Sequence, residues 1–461
     1  MLTLTLSEIA QALGGTLSGD DKSITAVSTD GRTLKGGELF VALVGERFDA
    51  HDFIDQVQAA GAAALLVSKD VDSALPQIRV QDTRLALGLL GQYVRDRVAP
   101  TVAALTGSCG KTTVKEMLAA ILGQQAPVLY TAGNFNNDIG VPLTLLRLEP
   151  EHRFAVMELG ANHEGEIAYT AALVRPRVAL VNNVAAAHLE GFGTLSGVAR
   201  AKGEIYGALD RDGIAVVNLD DDFAQDWLGR LQDREVLTFG QRPDADIRAE
   251  QVLTRDDGCS QFKLVLKQQS VAVSLPLPGR HNVANALAAA AMAHALGVTP
   301  ALIASGLATV KPVPGRLNVL PLGERGRLID DTYNASVGAV MAAIDLLAGY
   351  GGRRVLVLGD LGELGEKARH YHAELGRYAK EKGIDNLLTQ GVLSQAASDA
   401  FGLGAGHFDD KETLVTRLEA LLADEQQPIS ILVKGARSAR MEAVVEKVAA
   451  GPLARPEVVA C

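Results

Sequence analysis

One stretch constrains this chain more than any other. The apolar run TVAALT (Thr101 to Thr106) breaks at GSCG (Gly107 to Gly110), and KTTVKEMLAAIL begins at Lys111. In that second run Val114, Met117, Leu118, Ile121 and Leu122 recur at helical spacing. A strand, a glycine turn and a helix in that order aim free backbone N–H groups and the positive end of a helix dipole at one point. That point suits a phosphate. Lys111 can reach the β- and γ-phosphates of a nucleotide, and the Thr112 hydroxyl is placed to ligate Mg²⁺. The commoner pattern has a glycine five residues before Gly110, where this chain has Leu105, so the motif is a shortened G-x-x-G-K-T-T. Gly107, Ser108, Cys109, Gly110, Lys111, Thr112 and Thr113 are thus the candidate phosphate loop. Cys109 fills a variable position and is assigned no chemistry. The plain alternative is a glycine-rich turn with an exposed lysine.

The rest of the chain repeats the theme. FAVMELG, VALVNNV and IAVVNLD are near-continuous apolar runs, each followed by a helical stretch. Such runs imply a parallel sheet covered on both faces. Between about Glu235 and Pro278, DIRAEQVL, QFKLVLK and SVAVSLPL alternate with period 2, which predicts an antiparallel patch on the same domain. The Ala-rich stretch from Ala284 to Val298 reads as a buried helix. KPVPGR (Lys311 to Arg316) is a candidate linker, beyond which RRVLVLGD, NLLTQG and SILVKG restart the alternation. Before Pro100, ELFVAL and AAALLVS read as strands and LALGLLGQYVRDRV as a helix. At roughly 150 residues per domain, the length predicts about three domains. The expected class is α/β, with a small N-terminal α/β domain over residues 1–99 and a central P-loop parallel-sheet domain over 100–312. A C-terminal Rossmann-like α/β domain would take 313–461.

Composition narrows the function. The 44 basic and 55 acidic residues give a net charge of −11, which argues against a general nucleic-acid binder. Cys109, Cys259 and Cys461 are odd in number and far apart, which fits a reducing cytoplasm better than a disulfide framework. The first residues lack a basic segment and carry Glu8 inside the apolar stretch, unlike a signal peptide. No apolar run reaches the roughly 18 residues of a membrane span. A guanine-reading Asn-Lys-x-Asp is absent, which argues against a GTPase switch.

Three polar residues fall at ends of the central strands, where open sheets place ligands: Glu158, His188 and Lys202. Glu158 offers the oxygen that Mg²⁺ prefers, and His188 could complete a site. Lys202 makes sense as a phosphate contact or as a carbamate, which turns the cation into an anion. Each also has an ordinary reading, as a solvated strand end, a surface or capping histidine and a helix-surface charge. Asn282 and Asn285, one turn apart at a helix start, could cap that helix or read a base edge.

With these residues assembled, the chain resembles the ATP-dependent Mur ligases of peptidoglycan synthesis. The resemblance rests on TGSCGKTT, GNFNNDIGVPLT, MELGAN, NNVAAAHLEGFG, AKGEI and GRHNVANALAA. DDTYNAS, GDLGELGEKARHYHAELG and VKGARSARME, with STDGRTLKGGELFVALVGERFDAHDFI near the start, narrow it to the branch that joins D-alanyl-D-alanine to UDP-N-acetylmuramoyl-tripeptide. Gly31, Ala50, Ser336-Val337 and Ala436 stand where that branch usually carries Ser, Gly, Asn-Pro and Ser. The sibling that adds the third peptide residue carries an Asp-Asn-Pro-Arg motif, which this chain lacks. Another Mur-type amino-acid ligase or a folate polyglutamate ligase is the alternative.

The resemblance implies ATP and Mg²⁺, an acyl phosphate on the tripeptide and attack by the dipeptide amine, in a monomeric cytoplasmic enzyme. It implies Thr112 and Glu158 at one Mg²⁺, with His188 and carbamylated Lys202 at a second. Asn282, Asn285, Arg316 and Asp331 would meet the nucleotide. Thr29, Asp30 and Arg32 would meet the UDP-sugar. Lys434 and Arg437 would meet the dipeptide carboxylate.

Overall fold

The computed structural model describes residues 1–185, 189–322, 326–424 and 426–451. Its central sheet is built around the strand Thr101–Thr106, with Phe154–Glu158 parallel on one side and Val178–Val181 parallel on the other. Connections leave the central strand in both directions, and the crevice at its carboxyl end is where such sheets bind ligands. Val128–Tyr130 closes one edge. On the other side Ile214–Asn218 and Glu235–Gly240 continue in parallel, and Ile247–Thr254 joins through Phe239 and Gly240. Cys259–Leu266 and Gln269–Pro278 then fold back antiparallel. The patch expected from period-2 alternation is therefore the far edge of this same nine-stranded sheet.

Helices Lys111–Leu122, His281–Ala295 and Pro300–Ala308 cover one face. Val114, Met117, Leu118, Ile121 and Leu122 are all fully buried there, as their spacing predicts. A Leu118→Ala cavity would cost about 2–5 kcal/mol. His281–Ala295 can be so rich in alanine because it packs between the sheet and its neighbours, where small side chains allow close approach. The opposite face is covered by Thr83–Val98 and Glu166–Val174. Leu87, Leu90 and Val94, from the helix expected to end the first unit, share one core with Ala104, Met157 and Ile167.

The first region carries a five-stranded sheet in the order Thr16–Ser18, Gln77–Arg79, Ala64–Val67, Leu39–Val41 and Val27–Ser28. The C-terminal region carries a six-stranded one, in the order Asn318–Pro321, Gly326–Asp331, Ile429–Lys434, Arg353–Gly359, Asn386–Gln390 and Ala405–Phe408. It is parallel except at Asn318–Pro321, and its register sets Asp331 beside Lys434. Gly326–Asp331 escaped the sequence pattern because only Leu328 and Ile329 form its apolar core. Among the described residues no helix is long and apolar enough to cross a membrane.

Candidate functional site

The phosphate loop is shaped by its surroundings as well as by its glycines. Gly110 has φ +78°, and a Cβ there would lie 2.8 Å from Asn182 Nδ2 and closer still to Asn285 Oδ1. A larger residue would be strained twice, by backbone and by space. Asn182 and Asn183, at the end of the neighbouring strand, hold the loop. Their Nδ2 groups donate to Cys109 O at 2.9 and 3.1 Å, and Cys109 N–H donates to Asn183 Oδ1 at 2.8 Å. Ser108 Oγ accepts from Ala185 N–H at 2.9 Å. Asn182 Nδ2 also donates to Asn285 Oδ1 at 3.2 Å, Asn285 Nδ2 to Asn282 Oδ1 at 2.9 Å, and Asn282 Nδ2 to Pro278 O at 2.7 Å. A chain of amides thus runs from the edge strand to the phosphate loop. Asn282 does not cap its helix, whose N-cap position is Arg280. Asn182 and Asn183 went unassigned at the sequence level, although two asparagines ending the apolar run VALVNN were a visible signal.

Lys111 Nζ donates to Gly107 O at 2.7 Å, curled back over its own loop. Burial lowers its pKa, opposed by the charge of Glu158. Glu158 is 2% exposed; its Oε1 accepts from Asn136 Nδ2 at 2.9 Å, and its buried Oε2 has no hydrogen-bond partner among the described residues. A buried carboxylate oxygen left without a partner is a donor that suits a hard cation. Asn136, from the GNFNND stretch, is a further residue the sequence reading left without a role. Lys202 is fully buried, its ammonium 6.0 Å from the Phe192 ring, and its pKa falls to about 7 through burial first and the charge of Lys111 second. A helix-surface lysine is excluded. His188 lies outside the described residues.

The C-terminal sheet closes over this cluster. Arg316 donates to Thr112 Oγ1 at 3.3 Å and stacks on Tyr333, 4.3 Å from the ring centroid. Cys109 Sγ lies 3.0 Å from Ser336 Oγ. One cavity is lined by Cys109, Thr113, Asn282, Asn285 and Asp331 with apolar Leu277, Val310 and Leu317, a shape and chemistry that fit a flat base and its sugar. A second runs from Ser108, Lys111 and Thr112 to Arg316 and Arg437.

Lys434 is engaged within the protein. It is 2% exposed and spends its ammonium on Asp331 Oδ2 at 2.5 Å, Asn334 O at 2.9 Å and Asp331 O at 3.4 Å. With its donors engaged, Lys434 fixes the Asp331–Asn334 turn, and the free end of that strand is represented by Arg437. Asp331 also accepts from Leu317 N–H at 3.2 Å, tying the linker to the sheet. Thr29, Asp30 and Arg32 stand apart, on a turn at the edge of the first sheet. Arg32 grips Asp30 at 2.7 Å and holds its carboxyl well below the usual range, at about 2.

Comparison with known proteins agrees across the chain. The family model for the Mur ligase family catalytic domain matches residues 23–108, the Mur ligase middle domain 105–293 and the Mur ligase glutamate ligase domain 315–437. The Escherichia coli protein named UDP-N-acetylmuramoyl-tripeptide–D-alanyl-D-alanine ligase is 54% identical over 446 residues, covering 96% of this chain and 98% of that one. A crystal structure of MurF from Acinetobacter baumannii superposes with a TM-score of 0.93 at 40% identity, over 97% of this chain and 99% of that one. MurF ligase from Thermotoga maritima in complex with ADP gives a TM-score of 0.81 at 29% identity, over 91% and 96%. The chain belongs to the Mur ligase family, and within it resembles the ligases named for D-alanyl-D-alanine along nearly its whole length.

Proposed function

We propose that this protein is an ATP-dependent ligase that joins D-alanyl-D-alanine to UDP-N-acetylmuramoyl-tripeptide, giving the pentapeptide precursor of peptidoglycan. The observation that carries the reading is the cavity in which a phosphate loop faces two cations, Arg316 from the linker and Arg437 from the turn after Ile429–Lys434, within a Mur ligase chain. A carboxylate is too poor an electrophile to condense with an amine in water. Transfer of the γ-phosphoryl group of ATP makes it an acyl phosphate, which the amine attacks as phosphate leaves.

The chain's part is positioning and charge neutralisation. Lys111 and the loop N–H groups hold the triphosphate; Arg316 reaches the same phosphates from the linker. Asn282, Asn285 and Asp331 border the nucleoside. Thr112 and Glu158 would hold one Mg²⁺, and His188 with a carbamate on Lys202 the second. The ions, when bound, would offset phosphate charge. The burial of Lys202 supports the carbamate, because a neutral amine is what CO₂ adds to. Arg437 would meet the dipeptide carboxylate, and Thr29, Asp30 and Arg32 the UDP-sugar. The assignment places UDP-sugar binding in residues 1–99, ATP in 100–312 and the dipeptide in 313–461. The protein is expected to act as a monomer. The substrates place it in the cytoplasm, serving cell-wall growth, shape and division.

The test supplies ATP, Mg²⁺ and UDP-N-acetylmuramoyl-tripeptide with one amine at a time and follows phosphate release. Turnover with D-alanyl-D-alanine alone is expected. Preference for a free amino acid, or for a folate with glutamate, would overturn the assignment.

A further inference from the structure

One lysine buried beside the phosphate loop has no part in the chemistry described so far. Lys115 lies one turn beyond Lys111 on the helix Lys111–Leu122 and is 1% exposed. Its Nζ donates to Thr131 O at 2.7 Å, pairs with Glu116 Oε1 at 2.9 Å and lies 5.5 Å from the centroid of the Tyr130 ring. Taking an ammonium out of water is costly, and an apolar side chain of similar length would fill the same space without that cost. Val114, Met117, Leu118 and Ile121 do so on the same helix. A charge kept here points to a task that needs a donor at one fixed place.

The task is visible at the other end of the hydrogen bond. Thr131 follows the strand Val128–Tyr130 and opens a segment that grips the end of Phe154–Glu158. Thr131 N–H donates to Val156 O at 3.1 Å, and Thr131 Oγ1 accepts from Glu158 N–H at 2.9 Å. Five residues on, Asn136 Nδ2 donates to Glu158 Oε1 at 2.9 Å, and Asn136 O accepts from Gly160 N–H at 2.8 Å. Residues 131–136 therefore hold both the main chain and the carboxylate of Glu158. Lys115 ties this segment to the helix that carries Lys111 and Thr112. Thr112 and Glu158 come from different elements, and Mg²⁺ demands near-ideal geometry of its ligands, so their spacing has to be set from outside the pair.

We propose that Lys115 is a positioning residue of the metal site: through Thr131 it sets where the Glu158 carboxylate stands relative to the Thr112 hydroxyl. This rests on the reading of Thr112 and Glu158 as Mg²⁺ ligands given above. Groups that orient a metal ligand from behind are worth roughly 10- to 100-fold in metal affinity.

The experiment is calorimetric titration of the full chain with ADP at a series of Mg²⁺ concentrations, in wild type, Lys115→Met, Thr131→Val, the double variant and Leu118→Ala. The readout is the tightening of ADP binding that Mg²⁺ brings, so no turnover is needed. Lys115→Met should keep the wild-type ADP affinity without Mg²⁺, while the Mg²⁺ concentration giving half of the tightening rises roughly 10- to 100-fold. It should melt close to wild type, because an apolar chain of like length commonly replaces a buried charge without loss. Thr131→Val removes the acceptor of Glu158 N–H and should reproduce the shift. The double variant should shift no further than the worse single one, because the two groups act in series. Leu118→Ala weakens the core under the same helix and should leave the Mg²⁺ midpoint in place. An unmoved midpoint in Lys115→Met or in Thr131→Val overturns the proposal. So does an equal loss of ADP affinity with and without Mg²⁺, or the same shift in Leu118→Ala, since either would make Lys115 a general support of the loop. Should Lys115→Met fail to fold, Thr131→Val alone carries the same outcomes. A wild-type ADP affinity indifferent to Mg²⁺ would overturn the metal reading of Thr112 and Glu158 itself, a result seen before any substitution is made.

Discussion

On the phosphate-loop side of the cavity, Cys109 O receives two asparagine amides and Asn182 passes the restraint on through Asn285 and Asn282 to Pro278. On the opposite side Arg437 is 67% exposed, paired with Glu442 at 3.4 Å and lying 5.9 Å from the Tyr333 ring centroid, and Glu363 sits on a strained loop. The first wall is tied together by buried amides; the second carries an arginine largely open to solvent. The difference follows from the chemistry each wall meets. A triphosphate is the same in every turnover, and its transfer gains most from donors that need no reorganisation. An incoming amine must enter, react and leave as part of a larger product, so its wall tolerates freedom.

That contrast can be broken from the amide-tied side first. Lys111→Ala removes the cation facing the β- and γ-phosphates and should slow turnover by on the order of 10³-fold or more. Phosphate release within tenfold of wild type would mean the loop is an ordinary turn. Lys202→Ala should be nearly as damaging. In the wild-type enzyme, depleting bicarbonate and CO₂ should lower activity and restoring them should recover it; indifference to CO₂ would reassign Lys202 to direct phosphate contact. Glu158→Ala comes next, since a hard-oxygen ligand is lost. Its signature is a Mg²⁺ titration moved to higher concentration, and an unmoved one would make Glu158 a mere strand end.

Asn182→Ala tests the pinning itself. It strands Cys109 O and Asn285 Oδ1 partly unsatisfied, which should cost about 1–3 kcal/mol of stability. It should raise the KM for ATP more than that for the dipeptide. Equal effects on both substrates would erase the distinction between the walls.

The smallest effect concerns pH and belongs to the second wall. Burial lowers the pKa of His372 from the usual imidazole value of 6.5, outweighing the hydrogen bond to Ala368 O and the charge of Asp360 that oppose it. The neutral ring is the form that accepts from Leu361 N–H. Its contribution to stability is therefore complete above about 6.5 and is lost as pH falls below it, because the unfolded chain takes up the proton first. Below that pH the 361–368 loop should loosen, and the dipeptide KM should rise before the ATP KM does. Parallel rises would place the titrating group elsewhere.

Local spacing alone determined much of this protein. The strand, glycines, lysine and threonines of the phosphate loop follow one another between Thr101 and Thr113, so their order on the chain is already their order in space. The parallel sheet is equally legible, because strands buried on both faces must be apolar throughout. Lys202 and Lys434 show where that legibility ends. Each had a plain surface-charge reading beside its functional one, and both are buried, one near the charge of Lys111 and the other locked to Asp331 across 103 positions of chain. The amide chain from Asn182 to Asn285 spans another 103. Contacts at such separations depend on which strands become neighbours, and a hydrogen bond between side chains leaves no periodic trace in sequence. Only the tertiary structure could decide which polar groups share one cavity, since burial removes water as the competing partner and makes each remaining partner count.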